Sequence, residues 1–162
     1  MIRQARVAAE GAAAGLVATV TMSAVLLVAR QVGALGEPPP KRIADAALHA
    51  LGEERPPDWL RNASAAGGHF GFGATVGVLF TLIHRLRPQP LGPIPRGIGF
   101  ASIVWFVSYQ GWIPALGIML PALHDRPERP MTMLAAHWVY GATLGACIGR
   151  MTGDTARAGW EE

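Results

Sequence analysis

The segments "GGHFGFGATVGVLF" (67–80) and "AAHWVYGATLGACI" (135–148) decide how this chain is read. Both run His, aromatic, any residue, aromatic, Gly-Ala-Thr, any residue, Gly, and their histidines, His69 and His137, lie 68 residues apart. Neither shows the period-two alternation of a strand, and each sits in an apolar run of helical length. Residues four apart share one face of a helix. On such a face His69 is followed by Gly73 and Gly77, and His137 by Gly141, Gly145 and Gly149. Each histidine therefore heads a glycine ladder of the small-xxx-small kind, by which transmembrane helices approach closely.

Outward from these segments, the chain contains four apolar runs, at about 8–29, 65–84, 97–123 and 131–149. Crossing the hydrocarbon core takes roughly 20 mainly apolar residues, so all four qualify. The composition agrees: 162 residues with 51% hydrophobic and only 15% charged side chains are too apolar for an ordinary soluble domain. The expected fold is one all-α integral membrane domain over 1–162, a bundle of four transmembrane helices. Arg3 and Arg6 ahead of the first run resemble the start of a signal peptide. The run is longer than such a segment and no cleavage motif follows, so it is read as a retained helix.

The loop at 30–64 contains "PPPKRIADAALHALG" (38–52). Pro40 suits a first helical position and Gly52 a stop. Ile43, Ala47, Leu48 and Leu51 fall on one face. The segment reads as a short amphipathic helix, either lying at the membrane surface or packed on the bundle. The tail after 152 is polar and expected to fray. With four spans both termini share a side. Arg85, Arg87 and Arg96 crowd one short acid-free loop, and the positive-inside rule then puts the termini in the cytoplasm.

The matched segments imply a tandem duplication of one helical hairpin. "GAAAGLVATV" from Gly11 weakly resembles "GIGFASIVWF" from Gly97, and both runs later reach an "ALG" (Ala34 to Gly36, Ala115 to Gly117). The two hairpins would then be related by a pseudo-two-fold axis along the membrane normal, with His69 and His137 equivalent and at one depth.

Several functions fit this pattern. The ladders can be purely architectural, each imidazole bonding a nearby carbonyl, in an accessory or binding protein or a subunit of a larger membrane complex or homo-oligomer. Alternatively, His69 and His137 are axial ligands of a b-type haem, with the glycine troughs making room for the macrocycle and the aromatics at 70, 72, 138 and 140 flanking it. A third reading is a transport or ligand site in "SYQGWIPALG" (108–117): Tyr109, Gln110 and Trp112 are polar or amphipathic groups in mid-membrane. Pro114 frees the carbonyl of Gln110 and breaks the helix there, as transporters do near substrates. His124, on the same side as the histidine pair, would complete a possible transition-metal set.

Other classes are excluded. The arginines flank apolar runs instead of forming a patch with aromatics, so nucleic acid is not a partner. Cys147 stands alone, which precludes an intrachain disulfide and suits a packing role. No G-x-S-x-G, Walker or H-E-x-x-H motif occurs, and no strand precedes the glycines of 67–73. No catalytic residue is therefore expected.

Taken together, "EPPPKRIADAAL", "HFGFGATVG", "SYQGWIPALG" and "AAHWVYGATLG" resemble a group of small bacterial membrane proteins, the YagU-like families of unknown function, over roughly residues 11–150. The resemblance implies a four-helix protein of the bacterial inner membrane. It implies no cofactor or catalytic residues.

Overall fold

The computed structural model describes residues 2–86 and 91–153. It is helical throughout, with no strand among the described residues. In chain order come α1 (Ile2–Gln31), α2 (Pro39–Ala50), α3 (Asp58–Leu86), α4 (Pro93–Phe106), a π-helical turn (Val107–Trp112), the single turn α5 (Ile113–Ala115), a 3-10 turn (Ala122–His124) and α6 (Glu128–Thr152). Three of these, α1, α3 and α6, are long and apolar enough to cross a membrane. Arg87 and the tail beyond Gly153, both used above, lie outside the described residues.

The third apolar run departs from expectation. It is not one helix over 97–123: α4 ends at Phe106, the chain widens into the π turn, and Gly111 there has φ −103°, ψ −106°. Pro114 supplies no amide hydrogen for the turn before it. Gly117, at φ +69°, then turns the chain away. The other boundaries follow local chemistry. Pro38 and Pro39 open α2, and Gly52, at φ +92°, closes it. The Gly52 amide donates to the His49 carbonyl and the Glu53 amide to that of Leu48, which is the Schellman pattern.

Helix packing follows the glycines. α1 packs on α3, α4 on α6, and α1 also lies along α6. Between α1 and α3, a Cβ on Gly73 would collide with the Thr19 hydroxyl, and one on Gly77 with the backbone of Gly11 and Gly15. Between α4 and α6, a Cβ on Gly141 would strike Gly97 and Ala101, and one on Gly145 would strike Pro93. Both ladders are thus filled by neighbouring backbone. The troughs expected beneath the histidines do not exist as free space, because no side chain keeps the neighbouring helices away.

The contacts also set a register. Gly73 meets Gly15, and Gly141 meets Gly97. A duplication would therefore have to match Gly97 with Gly15, one helical turn beyond the expected Gly11. Nor are the two halves arranged symmetrically. α1 and α6 share an extensive seam that includes a Thr21–Thr143 hydroxyl pair at 3.0 Å. α3 and α4 meet lightly, with the Phe80 and Phe100 rings tilted at 49° to each other and 5.3 Å between centres. Outside the bundle, Val20, Leu27, Val28, Leu79, Ile103 and Phe106 are exposed. Such an apolar belt is rare on soluble monomers and suits contact with lipid.

Candidate functional site

The bundle opens at the end away from the chain termini. There the last turns of α1, the first half of α3, the π turn and the start of α6 diverge around a cavity of about 360 Å³. Bulk explains the divergence. At this level the helices carry Met22, Leu26, Phe72, Trp105, Met133 and Tyr140. The floor is the last level of close packing, where the Tyr140 hydroxyl donates to the Gly73 carbonyl at 2.7 Å.

α2 forms the roof. Its Pro39, Ile43, Ala44, Leu48 and Leu51 line the space. Its apolar stripe turns onto the bundle, as in the second of the two readings of the amphipathic segment. A fork of hydrogen bonds seats it, with Arg61 Nε on Asp45 Oδ1 at 2.7 Å and Arg61 Nη2 on Asp45 Oδ2 at 2.5 Å. Glu37 and Asp58 lie near the same guanidinium, at 3.5 and 3.6 Å. Asp45 is held below the usual carboxylate range, chiefly by the hydrogen bond from Arg61 and against a smaller opposing effect of burial. Ala47 and Leu51 of α2, with Gly68 and Phe72 of α3, are lining residues that also reach the outside, and they mark the mouth.

Both histidines stand on the cavity wall. His137 Nδ1 lies 2.7 Å from the Met133 carbonyl. A carbonyl only accepts, so Nδ1 carries the hydrogen and neutral His137 keeps its lone pair on Nε2. The Nε2 of His69 and the indole N–H of Trp105 are buried without a partner. Among the described residues, no Asp, Glu, Lys or Arg lines the cavity.

The remaining candidates separate. Tyr109 and Trp112 line the cavity; Gln110 does not. The Tyr109 hydroxyl donates to Asp125 at 2.8 Å, and Trp112 Nε1 to Ser108 at 3.3 Å. Gln110 Oε1 accepts the Ala122 amide at 3.2 Å, so its carboxamide secures the loop behind the broken helix. His124 is exposed on the 3-10 turn. No group of three His, Cys, Asp or Glu among the described residues is placed to hold a metal, so the structure does not gather His124 with the histidine pair. Of the flanking aromatics, Phe72 and Tyr140 face the cavity, whereas Trp138 is half exposed and bonds Ser102 on α4. Sequence reasoning missed Trp105, Asp125 and the Arg61–Asp45 fork. The one available signal was Asp125, an acid close behind the helix break.

No curated protein and no solved structure matches the chain. Residues 5–158 match DUF6789, a family of unknown function, and the chain belongs to that family.

Proposed function

We propose that this is a non-enzymatic membrane protein that binds a small apolar molecule in the cavity beneath α2. The observation that carries the proposal is the cavity itself. Its size falls within the range of small-molecule pockets, and its wall is apolar with a few polar groups. Four spans complete the reading: α4, the π turn and α5 together run over residues 93–115, about 34 Å at 1.5 Å per residue. Two hairpins from a duplicated ancestor, a bacterial inner membrane with cytoplasmic termini, and YagU-like kin belong to the same proposal and rest on the sequence pattern. A b-type haem held by His69 and His137 would need its room from this cavity, since the glycine ladders are filled.

The test uses Trp105 and Trp112, both on the wall. Titrating 1-bromo-4-octylbenzene into detergent-purified protein should quench tryptophan fluorescence saturably. Val76→Trp, which fills the cavity, should weaken that saturable phase at least tenfold. Quenching that only tracks partition into micelles, or a haem spectrum in the purified protein, would sink the proposal.

A further inference from the structure

The wall specifies the head of its ligand. Full charge is disfavoured: an ion taken from water into an apolar space without a partner loses its hydration uncompensated, and no charged side chain among the described residues lines this cavity. Hydrogen bonding is selective in the other direction. His137 Nδ1–H is spent on Met133, so Nε2 offers a lone pair and asks for a donor. The Trp105 N–H and His69 Nε2 are themselves fully buried, which leaves His137 Nε2 as the acceptor on the wall. A hydroxyl donates while remaining neutral. A carbonyl or ether cannot donate, and a carboxylate is charged.

Size limits the rest. At about 30 Å³ per water-sized unit, the cavity of about 360 Å³ holds on the order of a dozen non-hydrogen atoms. That is a hydroxylated ring with the beginning of a chain. The remainder of a longer molecule leaves through the mouth between α2 and α3. Phe72, Trp105, Tyr109, Trp112 and Tyr140 on the wall present aromatic surface of the kind that packs against a ring.

We infer that the cavity takes a neutral lipid-soluble phenol or alcohol, its hydroxyl donating to His137 Nε2. The inference rests on the binding function proposed above. It is tested by competing 4-octylphenol, its methyl ether 4-octylanisole and 4-octylbenzoate against the brominated probe, at concentrations corrected for micelle partition. One net hydrogen bond is worth roughly 1 kcal/mol. The phenol should therefore displace the probe about fivefold more tightly than the ether, and the benzoate should be weakest. In His137→Phe the phenol and ether should fall within twofold of each other. Equal competition by phenol and ether in the unaltered protein overturns the inference while saturable probe binding keeps the cavity function. Preference for the benzoate overturns it as well. Absence of saturable probe binding removes both. The wild-type comparison decides the matter even if His137→Phe does not fold.

Discussion

One end of this bundle is closed and the other open, although the same four stretches of helix form both. At the closed end Gly11, Gly15 and Gly77 meet across α1 and α3, and Gly97, Gly141 and Gly145 meet across α4 and α6. Ions finish that end: Glu10 takes hydrogen bonds from Arg6 and Arg85, and Arg96 reaches the His84 carbonyl. At the open end the same helices carry Met22, Phe72, Trp105 and Met133 around the cavity. In lipid no hydrophobic effect pulls helices together, so side-chain bulk at each level decides their separation. The cavity forms where larger residues stand two turns beyond the glycine contacts and the third apolar run leaves α-helical geometry at the π turn.

The contrast predicts unequal responses to one kind of change. Gly141→Leu drives a side chain into the Gly97 backbone and should cost on the order of 3 kcal/mol, read as loss of resistance to SDS unfolding. Gly68→Leu adds the same bulk at the mouth, where a Cβ meets nothing, and should stay within about 0.5 kcal/mol. Equal costs would erase the distinction between the ends.

A smaller effect concerns the roof. Arg61→Ala removes the fork on Asp45 and should loosen α2 only slightly, since the pair is only partly shielded from water. The loss should be confined to faster hydrogen exchange over Pro39–Ala50. Acid should do the same. Asp45 is lowered in the folded protein, so its contribution is complete above its unfolded value of about 4 and is lost as pH falls through the lower folded value. Protection of α2 that stays constant between pH 5 and pH 2 would show that the fork does not seat it.

A further small effect is at the floor. Tyr140→Phe removes one interhelical hydrogen bond and should cost about 0.6 kcal/mol. A loss several times larger in the same SDS titration would mean that the floor, and not the glycine levels below it, sets the spacing of α3 and α6.

What the sequence revealed, and what it hid, divides along physical lines. Period and local chemistry were legible: the long apolar helices, the stop at Gly52, the break before Pro114 and the glycine ladders all come from spacing or backbone restriction. Occupancy was not. Helical spacing says that Gly73 and Gly77 share a face, but not that Gly15 and Gly11 already fill it. The register of Gly15 with Gly97 was equally hidden, since small-residue helices resemble one another at every turn. The cavity escaped because it is a difference in bulk among helices distant in sequence, and the Arg61–Asp45 pair because it bridges a loop without periodicity.

The roof has a consequence of its own. The fork that seats α2 is only partly shielded, so salt weakens it and protons compete for Asp45, whereas no charged side chain among the described residues lines the chamber beneath. Ionic strength and acidity therefore set the firmness of a cover whose underside is apolar.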